Sequence, residues 1–221
     1  MSPISAARTR GRPGGSSGAE LLAVARQVFL ASGYAGATMD AVASGAKISK
    51  QTLYRHYPSK DVLYAAVVRD WVDQGHDRMR PHVQALLDAP GLAEGLVRLA
   101  RVMQAGILSP PVLQMRKLVA NEAERFPEVA ADYLERSWNR NQHMLAEALR
   151  ELGDRGELRV ADADGAAVAA EQLTWLAIAA PLNRLTLQGG RTVGGGRDGG
   201  ELEAVAAEAV ATFLGRFGAG E

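Results

Sequence analysis

Apolar positions recur at helical spacing along most of the chain, and no run of convincing length alternates with the period of a strand. From Glu20 the first set is Leu21, Val24, Ala25, Val28 and Phe29, one face of a helix that Gly33 can stop. Thr38 is placed to cap a short second helix with Met39, Val42 and Ala43 inward, ended by Gly45. Ser49 is placed to cap a third that closes near Tyr57-Pro58. Ser59 does the same for a fourth, longer helix running to about Arg80, where Pro81 follows. Further helices are predicted over about 92–108, 112–125, 128–152, 163–188 and 201–217. Pro90-Gly91, Pro110-Pro111, Pro127, the stretch from Gly153 to Asp164 and the Gly-rich run from Gly189 to Gly200 separate them.

Residues 38–57 therefore read as short helix, tight turn, short helix, with a helix before and after. That is a helix-turn-helix inside a small helical domain. Val42, Ile48 and Leu53 are spaced to form the core between the two short helices and so to set their crossing angle. The expected organisation is all-α. Residues 1–18, rich in Gly, Ser, Pro and Arg, form a disordered basic arm. Residues 19–65 form the helix-turn-helix domain, joined by the long fourth helix to a helical ligand-binding and dimerisation domain over 66–221.

In the last helix Leu202, Val205, Ala206, Ala209, Val210, Phe213, Leu214 and Phe217 keep one apolar face over four turns, while Glu201, Glu203 and Glu208 face elsewhere. The helix at 163–188 is apolar almost all round and rich in alanine, so it must be buried on every side. In a chain of this length that predicts one face on its own domain and the other on a second subunit. Helices 163–188 and 201–217, doubled by a two-fold axis, would make a four-helix bundle and a homodimer.

Composition narrows the function. The absence of cysteine excludes disulfides, thiolate metal sites and cysteine nucleophiles, and fits a reducing, cytoplasmic setting. No apolar run follows the N-terminal arginines, so no signal peptide is expected. The most apolar run, Leu173 to Leu182, is too short to span a membrane, so no membrane partner is expected. The four histidines, His56, His76, His82 and His143, lack metal-ligand spacing. There is no G-x-S-x-G, no P-loop and no dinucleotide fingerprint. No cofactor, metal or catalytic residue is predicted, and the chain is expected not to be an enzyme. A ligand-binding or scaffold protein without a role on DNA is the alternative class.

Charge points the other way from the scaffold. The chain is neutral overall, yet residues 1–60 carry eight basic groups against Glu20 and Asp40, a balance of +6 offset by −6 in the remainder. A basic end on an acidic body suggests that one end meets a polyanion. Three of the four lysines, Lys47, Lys50 and Lys60, fall within residues 47–64. In the third helix only Leu53 is plainly core, leaving Ser49, Lys50, Gln51, Thr52, Tyr54, Arg55 and His56 for the outer face. Gln51 can pair two-pronged with adenine, and Lys50 can donate to guanine O6 and N7 or to phosphate. Tyr54 and His56 can donate to phosphates, Lys60 adds a cation at the next helix start, and Thr38 can contribute from the second helix. Arg10-Gly11-Arg12-Pro13 resembles an AT-hook core, whose arginines enter narrow minor grooves, but for a single short copy a solvated tail is the preferred reading.

GYAGATMDAVASGAKISKQTLYRHYPSKDVLYAAV resembles the N-terminal domain of the TetR family of transcriptional regulators. Gly33-Tyr34, the helix start at Thr38, and Thr52-Leu53-Tyr54-Arg55-His56-Tyr57 followed by Ser59-Lys60 carry the resemblance. Residues 118–138, LVANEAERFPEVAADYLERSW, look like the C-terminal domain of the AefR-like branch. The resemblance implies a homodimeric one-component regulator. Two reading helices related by a two-fold axis predict a near-palindromic operator on double-stranded DNA, and the expected action is repression relieved by a small molecule. The resemblance also places Thr38, Ser49, Lys50, Gln51, Thr52, Tyr54, His56 and Lys60 where family members touch DNA. Lys47 departs from the pattern, because the family often has glycine or another small residue there. For the effector, Met103, Ile107, Met115, Trp138 and Trp175 are candidate apolar walls, with Asn121, His143 and Asn183 as polar contacts. Methionine and tryptophan suit an apolar or amphipathic compound.

Overall fold

A computed structural model describes residues 18–75, 77–187 and 197–220. The N-terminal arm, Arg10–Pro13 included, and most of the Gly-rich run before the last helix lie outside the described residues. The helices are α1 Gly18–Gly36, α2 Met39–Gly45, α3 Lys50–His56, α4 Lys60–Gly75, α5 Arg80–Leu87, α6 Leu92–Ile107, α7 Pro110–Asn121, α8 Pro127–Tyr133, α9 Arg140–Asp154, α10 Ala163–Leu187 and α11 Arg197–Phe217. A π-helical turn, Leu134–Asn139, connects α8 to α9. No strand occurs among the described residues, only an isolated bridge between Leu158 and Gly218. The chain divides into two compact units between Val67 and Val68, within α4.

The first unit is built around an aromatic trio. Phe29 stacks on Tyr34 with centroids 6.1 Å apart. Tyr64 meets both edge-on, at 5.7 Å from Phe29 and 5.3 Å from Tyr34. Val42 and Leu53 are buried between α2 and α3, and Ile48 is half-buried beside them. Gly33 has a φ of 67°, and this left-handed residue kinks α1 where the sequence predicts its end. Gly45 is required by proximity: a Cβ there would lie 2.9 Å from Val24 Cγ1.

The turn between α2 and α3 resolves the position of Lys47. Its φ is 54°, the left-handed conformation that glycine adopts without steric cost. Backbone bonds from Lys47 N to Ser44 O and Ile48 N to Ala43 O hold the turn in place. Lys47→Gly is therefore expected to raise the stability of the first unit by about 0.5–1 kcal/mol, since relief of αL strain outweighs the extra chain entropy. A chemical-denaturation midpoint checks this.

In the second unit α10 packs against α9, α11 and α6. Leu96, Leu99, Leu149, Leu173, Ile178 and Phe213 lie at the fully buried centre. The buried residues of α10, Ala166, Ala169, Ala170, Leu173, Thr174, Ala177, Ile178 and Pro181, repeat every three or four positions and form one face. By length and composition α10 could cross a membrane, but this face is committed to the protein's own core. Its other side leaves Val168, Trp175, Leu176 and Leu187 exposed.

Pro181 explains a buried polar contact. Proline has no N–H, so it cannot serve the carbonyl of Ala177 four residues earlier. Gln104 of α6, itself 3% exposed, donates from Nε2 to that carbonyl at 3.0 Å. Gln104→Leu keeps the bulk and removes the donor. It should cost about 1–3 kcal/mol in a denaturation curve, the penalty of a buried acceptor left unmet.

Several boundaries differ from the sequence expectation, among them the end of α7 at Asn121 and the start of α11 at Arg197. The fourth helix does not reach Arg80: it ends at Gly75, and Pro81 lies in the first turn of the separate helix α5. Proline's missing N–H has no cost in a first turn, so Pro81 marks a start, not a stop. Pro110-Pro111 likewise lie inside the first turn of α7. The helix expected over 128–152 is divided by the π turn.

Candidate functional site

Two capping contacts shape the helix-turn-helix. Thr38 Oγ1 accepts from Ala41 N at 3.1 Å and starts α2. Ser49 Oγ accepts from Thr52 N at 3.0 Å and starts α3. The Ser49 and Thr52 hydroxyls are also 2.8 Å apart. Thr38 and Ser49 thus spend one acceptor on the backbone while remaining exposed. Leu53 is the only buried residue of α3. Lys50, Gln51, Tyr54, Arg55 and His56 are exposed and Thr52 is half-buried. The side chains of Gln51, Tyr54, Arg55, His56 and Lys47 have no hydrogen-bond or ion-pair partner among the described residues. An exposed face of amide, phenol, imidazole and cations without internal partners is chemically suited to base edges and phosphates.

Lys60 behaves differently. Its Nζ donates to the carbonyls of Tyr34 at 2.9 Å, Ala37 at 3.0 Å and Ala35 at 3.4 Å, and lies 4.4 Å from the Tyr34 ring centroid. The ammonium closes the carbonyl end of α1 while the Tyr34 hydroxyl donates to Asp61. A group read from the sequence as a phosphate anchor is therefore also a structural cap. Lys50, for its part, is paired with Asp40 at 2.6 Å. Neither contact was visible from helix periodicity, because each joins residues far apart in the chain.

The effector candidates are more scattered. Met103 is buried in the main core of the second unit, and Ile107 and Trp138 are packed against that core. Trp138 lies on the π turn and packs on Trp175 with centroids 5.3 Å apart. The guanidinium of Arg116 lies 5.5 Å from the Trp138 ring. Met115 is buried on α7 but does not join that core. Asn121, His143 and Asn183 are exposed, so the structure does not turn them into a shared interior with the apolar candidates. The interior polar groups that the sequence reading missed are Gln104, Thr174 and Gln142. Gln142 Nε2 donates to the fully buried Thr174 Oγ1 at 3.0 Å, and Gln142 Oε1 is buried without a partner among the described residues. Pro181 was the one usable signal for Gln104. Burial pushes the Tyr133 phenol up from its ordinary value, with Arg116 pulling it the other way.

An open groove of about 500 Å³ runs between α10 and α11, lined by Gln172, Trp175, Leu176, Thr212, Phe213 and Arg216. It lies on the side of α10 that its own core leaves uncovered. Among the described residues no cluster of histidine or carboxylate side chains could hold a metal.

A capped helix-turn-helix with an exposed polar second helix is a motif that can present side chains to a DNA groove. Comparison with known proteins agrees along the chain. Residues 21–67 match the bacterial regulatory proteins of the tetR family, and residues 94–219 match the AefR-like transcriptional repressor C-terminal domain. The chain belongs to the TetR family, with an AefR-like C-terminal domain, and is a transcriptional regulator rather than an enzyme. It is similar to the HTH-type transcriptional regulator UidR of Escherichia coli K12, 27% identical over 146 residues that cover 62% of this chain and 67% of UidR. A TetR-family transcriptional regulator from Mesorhizobium loti MAFF303099 superposes with a TM-score of 0.81 at 28% identity, over 90% of this chain and 95% of that one. The flavonoid-responsive regulator FrrA superposes at 0.64 with 26% identity over the same shares.

Proposed function

We propose that the protein is a homodimeric, one-component repressor that binds a near-palindromic operator and is released by a small molecule. The observation that carries this reading is the outer face of α3, exposed along nearly its whole length and held by caps at both short helices. Gln51 and Lys50 read base edges from the start of α3. Tyr54, Arg55, His56, Lys47 and the hydroxyls of Thr38, Ser49 and Thr52 hold the backbone. Lys60 fixes the corner between α1 and α2 and adds positive potential there. The N-terminal match to a DNA-binding family and the AefR-like repressor match support the same reading.

Dimerisation is through α10 and α11. Val168, Trp175 and Leu176 are large apolar side chains left in water by a single chain, and α11 adds Ala204, Ala207, Ala211 and Thr212, small enough for close helix approach. The effector is apolar or amphipathic and aromatic. The Trp138–Trp175 pair and the likeness to a regulator described as flavonoid-responsive support that class. The protein acts in the cytoplasm, where its operator is.

Fluorescence anisotropy on labelled fragments from the region upstream of its own gene tests the proposal. Binding should be saturable and salt-sensitive, and a panel of planar aromatic compounds should contain one that reverses it. Binding to all fragments alike, unmoved by any compound, would refute it.

A further inference from the structure

The surface assigned to DNA contains an acid. Asp40, on α2, is as open to solvent as Lys50, with side chains 61% and 63% exposed, and its Oδ2 accepts from Lys50 Nζ at 2.6 Å. The other basic side chains of this face, Lys47 and Arg55, have no carboxylate partner among the described residues. A carboxylate held against a polyanion opposes binding to any sequence, so general affinity does not account for it. Its effect on Lys50 does. The lysine ammonium sits on a flexible stem and would otherwise be free to settle on a phosphate. Pairing with Asp40 removes that charge from indiscriminate attraction and holds it on the α2 side of α3. An exposed pair is weak enough to exchange for a better partner. In a major groove a guanine edge offers two acceptors to a lysine, and a cytosine N4 offers a donor to an aspartate. Donor and acceptor side by side therefore match a G·C-containing site.

We infer that Asp40 is a specificity-determining residue that directs Lys50 to a guanine edge and penalises DNA lacking it. This rests on the reading of α3 as the DNA-contacting helix. The test uses the full-length protein with D40N, D40E and K50M. Operator, operator with each G·C pair replaced in turn, and an unrelated duplex are titrated over a range of salt. D40N is expected to bind the unrelated duplex more tightly than the parent, with a salt slope steeper by about 0.9 because Lys50 becomes free for a phosphate. Discrimination at one G·C position should fall by roughly 5- to 150-fold. K50M should lose discrimination at the same position, and D40E should retain it. A D40N protein that shifts operator and unrelated DNA by one common factor, with discrimination intact everywhere, would overturn the assignment. If the parent protein shows no sequence preference, the DNA-reading proposal falls as well. A parent with normal preference and an unaltered D40N removes only the role of Asp40.

Discussion

Leu176→Arg is expected to give a folded monomer whose operator affinity is about 100-fold lower or worse. Leu176 is 41% exposed in the single chain and walls the groove between α10 and α11 with Trp175 and Phe213. An arginine there meets water in the monomer, so the fold should be little affected, as for most surface substitutions. Across a two-fold axis it would meet a copy of itself inside an apolar interface, and an unpaired buried charge costs several kcal/mol. Two half-sites bound by one linked pair of domains gain about 10²–10⁴ over a single domain, and that gain disappears with the dimer. Analytical ultracentrifugation reads the mass and anisotropy the affinity. A dimeric variant with full affinity would place the interface elsewhere.

Phe29→Ala should have the largest effect on stability, about 3–5 kcal/mol lost from the first unit. Phe29 is 1% exposed and contacts both Tyr34 and Tyr64, so its removal leaves a cavity at the centre of the aromatic trio. A unit of this size has a margin of only about 5–15 kcal/mol even when well built. The variant should show an early melting transition by circular dichroism and lose DNA binding at moderate temperature. Its subunits should still associate, because α10 and α11 belong to the second unit. A single unshifted transition would contradict the account of the core.

The parts of the fold that were legible in the sequence share a physical character. Thr38, Ser49 and Gly33 act on their immediate neighbours: the two caps stand where those residues predict them, and α1 breaks its helical geometry at the Gly33 where its end is expected. The all-helical architecture followed from periodicity, and the apolar outer side of α10 from a run that is apolar almost all round. What was not legible depends on context or on distance. Pro81 starts a helix or follows one according to the residues before it, and here Gly75 ends α4 while Asp77, with a φ of 58°, turns the chain. The π turn carries no periodic signature of its own. Lys60 reaches α1 across more than twenty residues, and Lys50 reaches Asp40 across the turn between the short helices. Lys47 was recognisable as unusual, but only the backbone showed that it occupies a left-handed position. The effector set was the least legible part, because methionine and tryptophan pattern alike in a core and in a pocket.

We propose that α3 reads DNA in two symmetric copies. Selection of genomic fragments by the purified full-length protein, followed by sequencing, tests it most directly. Enriched fragments should share a near-palindrome whose half-sites lie about one helical turn apart, roughly 34–36 Å. Gln51→Ala should relax preference at particular base pairs by about 1–3 kcal/mol. Enrichment of no common sequence, or of an asymmetric site whose preference Gln51→Ala leaves untouched, would contradict it.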